Sequence, residues 1–134
     1  MSYTKKELIR AKELMSTDLH FIDGMATAAE AAELMRLKNT DTLLVHKRNE
    51  NDAFGIVSVQ DLVTKVILPE RAPLSVNVYE LMTKPIISVP ADMDVRYVVR
   101  LMVRVGIRRA PVEENGAYIG MISLSSLILD GGLF

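Results

Sequence analysis

Much of this chain is written twice. Leu14-Met15-Ser16 recurs 67 residues later as Leu81-Met82-Thr83, and Leu34-Met35 recurs at the same shift as Leu101-Met102. Val45 falls on Val112. Beyond that point the shift drops to 65, so that Gly55-Ile56-Val57-Ser58 aligns with Gly120-Met121-Ile122-Ser123 and Leu62 with Leu127. A chain that repeats its apolar positions in this way builds one supersecondary unit twice. The copies part at one telling place. Copy one continues Ser58-Val59-Gln60-Asp61, whereas copy two continues Ser123-Leu124-Ser125-Ser126. A carboxylate is present once where the repeat offers two positions for it.

Periodicity assigns the elements. Thr4 and Glu7 form a capping-box start for a helix from about Thr4 to Leu14, with Leu8, Ala11 and Met15 as its apolar stripe. In copy one a strand covers Leu19–Asp23. Thr27 and Glu30 then cap a helix that turns Ala28, Ala31, Leu34 and Met35 inward. Strands over Thr42–Lys47 and Phe54–Val57 flank the polar turn RNENDA, and Ser58 starts a helix to about Leu68. Copy two has a strand over Ile86–Val89, a helix from Asp94, strands over Ala110–Glu113 and Tyr118–Ile122 around ENGA, and a last helix from Ser123. Its hairpin is two residues shorter, which accounts for the changed shift. The segment PERAPLSVN, with Pro69 and Pro73, links the copies. The expected division is therefore an N-terminal helix over 1–13, repeat one over 14–68, a linker over 69–75 and repeat two over 76–134.

Each copy is small, and a unit of about 55 residues buries little surface alone. Two copies packed with pseudo-twofold symmetry are the economical solution. Helix VRYVVRLMVRV adds a further constraint. Val95, Val98, Val99, Leu101, Met102, Val103 and Val105 cannot all face one core at 3.6 residues per turn. A second apolar stripe predicts a subunit interface, or a helix sandwiched between both copies.

Composition narrows the functions. The chain has 134 residues, is 49% hydrophobic and 25% charged, and carries a formal charge of −1. A nucleic-acid or anionic-membrane binder would usually be more basic. With no cysteine there is no disulfide, thiolate metal site or cysteine nucleophile. No apolar run approaches the roughly 18 residues of a membrane span, and the charged start resembles no signal peptide, so a cytoplasmic location is expected. His20 and His46 are too few for a histidine-rich metal site and read as strand-surface residues, so no metal is expected. Asp94 reads as a helix cap. No phosphate-binding glycine loop and no nucleophile–base–orienter set is visible, so the chain is expected not to be an enzyme.

The β-α-β-β-α repeat, with GIRRAPVEENGAYIGMISLSSL in copy two and FGIVSVQDL in copy one, resembles the CBS domain, named after cystathionine β-synthase. The resemblance covers about Ala11 to Asp130 as a tandem pair, often called a Bateman module. Copy one is the more divergent. It has Asn39-Thr40-Asp41-Thr42-Leu43-Leu44-Val45 where copy two has Gly106-Ile107-Arg108-Arg109-Ala110-Pro111-Val112. The resemblance implies a mixed α/β (α+β) fold and a regulatory module that binds AMP, ADP, ATP or S-adenosylmethionine in clefts between the copies. It also implies pairing into dimers and an effector protein that reads the module's geometry. No obligatory cofactor follows from it, and no nucleic-acid or membrane partner is expected.

The resemblance also implies roles for residues. Asp61 takes the place of the family's ribose-binding acid, and one carboxylate can accept from both ribose hydroxyls with charge assistance. Ser58-x-x-Asp61 equally reads as a helix N-cap with an acid in the first turn, and the two roles are compatible. Arg108 and Arg109 stand where the family contacts phosphate, for which a guanidinium fork is suited. A solvent-exposed pair is the plainer reading. The base slot would draw on Ile56, Val57, Ile86, Ile87 and Pro111, any of which is otherwise a core residue. Lys84 reads as a surface lysine. The opposite site, from Ser123, Ser126, Leu19, His20, Asp41 and Thr42, lacks the acid and places Asp41 where copy two has Arg108. One competent site per chain is expected. The alternative is a dimerisation or docking scaffold whose nucleotide site is vestigial.

Overall fold

A computed structural model describes residues 8–130 and Leu133. Thr4 and Glu7, and so the expected cap of the first helix, lie outside those residues. In chain order the elements are α1 (Ala11–Leu14), β1 (Phe21–Ile22), α2 (Ala28–Lys38), β2 (Thr42–Val45) and β3 (Gly55–Ser58). Then come α3 (Val59–Leu62), which runs on as a π-helical turn over Val63–Ile67, and two 3-10 turns, Pro73–Ser75 and Val78–Glu80. Copy two supplies β4 (Val89–Pro90), α4 (Val95–Val105), β5 (Arg109–Glu114), β6 (Ala117–Ser123) and α5 (Leu124–Leu129). The predicted strands before α2 and α4 are shorter than expected, because only two residues of each reach a neighbouring strand.

The chain divides into two compact units, His20–Ile86 and Met1–Leu19 with Ile87–Phe134. In the first, β1 pairs parallel with β2, and β2 pairs antiparallel with β3, Thr42 opposite Ser58 and Val45 opposite Gly55. In the second, β4-β5-β6 repeats this order, Val89 opposite Val112 and Ala110 opposite Ile122. Local chemistry sets the helix ends. Thr27 Oγ1 accepts from the Glu30 amide at 3.1 Å while Glu30 returns a carboxylate to the Thr27 amide at 2.9 Å. Asp94 caps α4 by accepting from the Arg96 amide at 2.9 Å, as its sequence position predicts. Asn39 and Gly106 close α2 and α4 in the left-handed region, at φ 51° and 76°.

The packing units cut across the sequence period. Met82-Thr83 opens copy two in sequence, yet Thr83 exchanges backbone hydrogen bonds with Ile56 on β3, at 2.8 and 3.0 Å. Ser16, which opens copy one, does the same with Met121 on β6, at 2.8 Å each way. The residues just after the linker are committed in the same way: Val76 O accepts from the Ala28 amide and Asn77 bridges to Thr27. Each unit therefore enlarges its core with the leading segment of the other repeat. Val76, Val78 and Leu81 join Ala31, Leu43 and Val57 in the first core. Ala11 joins Val98, Met102 and Ile122 in the second. This is how repeats of about 55 residues reach a workable buried surface.

The repeated glycines follow from the same exchange. A Cβ on Gly55 would lie 2.7 Å from the Met82 sulfur, and one on Gly120 would lie 2.6 Å from the Met15 sulfur. Helix α4 turns Val95, Val98 and Met102 into the core, fully buried. Its second apolar stripe is open, with Val103 64% and Val105 40% exposed.

Candidate ligand-binding site

The candidate residues fall in both units. In His20–Ile86, β3 delivers Ile56, Val57 and Ser58, and α3 delivers Asp61 one turn on. Alternation along β3 buries Val57 completely among core side chains and leaves Ile56 half-buried. What Val57 can offer a ligand is thus its backbone. Ser58 and Asp61 form the capping box that the sequence suggests. Ser58 Oγ accepts from the Asp61 amide at 3.3 Å, and Asp61 Oδ2 accepts from the Ser58 amide at 2.9 Å and its hydroxyl at 3.2 Å. The capping role is therefore real.

Sequence reasoning missed a second restraint on that carboxylate. Lys65 Nζ lies 3.1 Å from Asp61 Oδ1 and donates to Leu81 O at 2.8 Å. The signal was legible, since an acid followed by lysine four residues on shares one helix face. Asp61 keeps 16% of its side chain exposed, and Lys65 keeps 43%. The result is a partly open carboxylate held by the Ser58 amide, the Ser58 hydroxyl and the Lys65 ammonium.

Ile86, the last residue of this unit, is half-buried. Lys84 is more than a surface lysine. Its ammonium pairs with Asp52, whose side chain is only 7% exposed, and Lys84 itself keeps 22%. Asp52 also accepts from the Arg48 amide at 2.9 Å and from Arg48 Nε at 3.1 Å. The Lys84 ammonium, first, and the Arg48 amide hold the Asp52 carboxyl well below the usual carboxylate range.

In the other unit Ile87 is 43% exposed. Arg108 precedes β5 and is exposed, while Arg109 is its first residue and half-buried, opposite Ser123. Arg108 O accepts from the Leu124 amide at 3.0 Å, tying this arginine pair to the start of α5. Pro111, two residues into the strand, is buried. In copy two Ser123 Oγ caps α5 by accepting from the Ser126 amide at 3.1 Å, but Ser126 turns its hydroxyl to Ser123 O at 3.0 Å. The site equivalent to Asp61 is thus occupied by a self-satisfied hydroxyl. Asp41 O accepts from the Val59 amide at 2.9 Å, and Asp41 Oδ1 accepts from the Thr42 hydroxyl at 3.0 Å. Among the described residues no group of three or more His, Cys, Asp and Glu side chains could hold a metal ion, and no helix is long and apolar enough to cross a membrane.

Comparison with known proteins agrees with this architecture. The family model for the CBS domain matches twice, over residues 11–68 and 78–129. An uncharacterized protein of Methanopyrus kandleri is 35% identical over 103 residues, 76% of this chain and 52% of that protein. YlbB of Bacillus subtilis, also uncharacterized, is 31% identical over 91% of this chain and 82% of its own length. The chain thus spans about half of the first relative and most of the second. Among solved structures, the hexameric CBS-CP12 protein from bloom-forming cyanobacteria is similar at 38% identity with a TM-score of 0.86, over 91% of this chain and 70% of that one. CBS-domain proteins are generally regulatory rather than catalytic, although 95% of this chain also matches 26% of a homoserine O-acetyltransferase of Methanococcus vannielii at 31% identity. Two matched repeats, two three-stranded sheets in the same strand order and the exchanged leading segments identify the chain as a tandem member of the CBS-domain family.

Proposed function

We propose that this CBS pair is a regulatory, non-catalytic module that binds an adenosine-containing ligand: AMP, ADP, ATP or S-adenosylmethionine. Asp61 receives the ribose hydroxyls, and Arg108 and Arg109 receive phosphate or carboxylate oxygens. Ile56, Ile86, Ile87 and the backbone at Val57 and Pro111 offer apolar surface and hydrogen-bonding edges for the base. The observation that carries the reading is the state of Asp61. A carboxylate that is 16% exposed is held in one orientation by Ser58 and pairs through its other oxygen with Lys65. A ribose diol needs two acceptors, and Oδ1 is half used by that lysine. The ligand's hydroxyls therefore displace or share the Lys65 ammonium, at little cost, because partly exposed ion pairs contribute only about 0–1 kcal/mol. Copy two lacks the acid, so binding is at one site per chain.

A ligand that favours one arrangement of the module over another shifts the population, and an effector protein reads the result. Self-association supports such a readout, and the open Val103–Val105 stripe of α4 offers the surface.

The test is thermal unfolding with millimolar AMP, ADP, ATP or S-adenosylmethionine. A ligand at about 100 times its Kd stabilises the folded state by about 2.7 kcal/mol. Asp61→Asn keeps an oxygen for the cap and removes the charge, so it should abolish the ligand shift with the unliganded melting point nearly retained. Lys65→Met should keep or strengthen the shift, and Arg108→Gln should weaken it for phosphate-bearing ligands. No shift with any of the four ligands would instead favour a scaffold with a vestigial site.

A further inference from the structure

A hollow lies within the unit His20–Ile86, at the opposite end of its sheet from Asp61. Asp61 follows Ser58, which pairs with the first residue of β2, whereas the hollow opens beyond Val45, the last residue of β2. The four-residue strands put about 10 Å between those ends. The hollow has a volume of about 610 Å³, within the range of small-molecule sites. Two kinds of wall face it. Lys47, Arg48 and Lys84 supply positive charge, and Met25, Tyr79 and Met82 supply apolar and aromatic surface.

Two of the cations share one carboxylate. Asp52, nearly buried, takes both the Lys84 ammonium and Arg48 Nε, which fixes one positive group against the other. Arg48 gives only Nε and its amide to Asp52, so its Nη groups have no acceptor among the described residues. Lys47 Nζ sits 5.2 Å over the Phe54 ring. Of the acids at this end, Asp52 is spent on two cations, Asp23 Oδ1 accepts from the Met25 amide at 2.8 Å, and Glu50, in the same hairpin turn, does not line the hollow. Lys47, Arg48 and Lys84 thus line the hollow with one carboxylate, Asp23.

The repeat supplies an internal control. The same end of the other sheet carries Glu113, Glu114 and Asp92 where copy one has His46, Lys47 and Met25. There the chain provides its own counter-charge. Lys12, at the position of Tyr79, lies 3.0 Å from Asp92 and 3.7 Å from Glu114. Copy two neutralises an acidic corner with its own lysine, while copy one sets two cations on the single carboxylate of Asp52 beside apolar side chains.

We propose that this hollow binds a small organic phosphate, its phosphoryl group on Arg48 and Lys84 and its carbon body against Met25, Tyr79 and Met82. A dianion with three acceptor oxygens matches a guanidinium fork and an ammonium that already share one carboxylate. The site is separate from the one assigned to Asp61.

The experiment titrates the 15N-labelled full chain with phenyl phosphate at constant ionic strength and follows backbone amides by NMR. The amides of Gly24, Arg48 and Tyr79 should shift and saturate in the millimolar range. Arg48→Gln and, separately, Met25→Glu should each weaken binding by about fivefold or more. Both side chains are exposed, so both variants should fold. Benzoate, with the ring but a single charge, and inorganic phosphate, with the charge but no ring, should each bind about fivefold more weakly or worse. Asp61→Asn should leave phenyl phosphate binding unchanged, which separates this site from the nucleotide reading. No shift at these amides, equal binding to both variants, or benzoate or inorganic phosphate binding as tightly as phenyl phosphate would overturn the proposal.

Discussion

Gly55 and Gly120 occupy equivalent places in the repeat, yet alanine should cost very different amounts at the two. At Gly120 the new Cβ would lie 2.5 Å from Ser16 O, 2.6 Å from the Met15 sulfur and 2.9 Å from Met15 Cγ. Ser16 O is itself the acceptor of the Met121 amide, so relief requires the leading segment to move off β6. That puts two backbone hydrogen bonds at risk, each worth about 1 kcal/mol net. Crowding of a packed site adds about 1–3 kcal/mol. Against this, alanine restricts the unfolded chain and returns about 0.4–1 kcal/mol. The sum for Gly120→Ala is a loss of about 2–4 kcal/mol. At Gly55 the close atom is the Met82 sulfur at 2.7 Å, the far part of a flexible side chain, and the nearest backbone atom is Thr83 O at 3.3 Å. Methionine can re-rotate there, so Gly55→Ala should lose no more than about 1 kcal/mol. Urea unfolding of both variants beside the parent measures the difference. Equal losses, or a larger loss at Gly55, would refute the claim that Ser16 is locked onto β6 through its backbone.

Two further expectations concern charge and surface. Asp52 has its carboxyl pKa lowered by Lys84 and Arg48, so it is ionised more readily folded than unfolded. Its contribution to stability is full above the unfolded value of about 4 and is lost as pH falls through the folded value below it. The urea midpoint should drop as pH is lowered below about 4, and Asp52→Asn should flatten that drop; an identical pH profile in the variant would refute the assignment. Val103→Glu, at a site 64% exposed on α4, should leave the melting temperature within a few degrees and reduce the mass seen by sedimentation. An unchanged mass would exclude that stripe as the self-association surface.

Capping and periodicity were legible because they depend on neighbours along the chain. Thr27 with Glu30 and Asp94 with Arg96 needed no tertiary information to be read as helix starts. Ser58 with Asp61 was equally local, and its geometry is the predicted one. The strand ends were less legible: Leu19 and Ile86 look like strand residues by hydropathy, but pairing reaches only Phe21 and Val89. Val76 and Val78 begin repeat two in sequence, yet their side chains complete the core of the unit that holds repeat one, which no local pattern announces. Lys84 reads as surface because nothing within a few residues explains it; its partner Asp52 is 32 positions away, across the hairpin.

By itself the sequence determined that one β-α-β-β-α plan is used twice, where its helices start, and that the acid of the Ser58-x-x-Asp61 motif is carried by copy one alone. Those are properties of spacing and of short-range hydrogen bonding, which any window of a dozen residues contains. The tertiary structure decided which leading segment completes which sheet, why Gly55 and Gly120 carry no side chain, and how Asp52 gathers Lys84 and Arg48 into one basic corner. Each of these depends on atoms brought together over tens of residues, where steric fit and charge pairing act through space and leave no periodic trace along the chain.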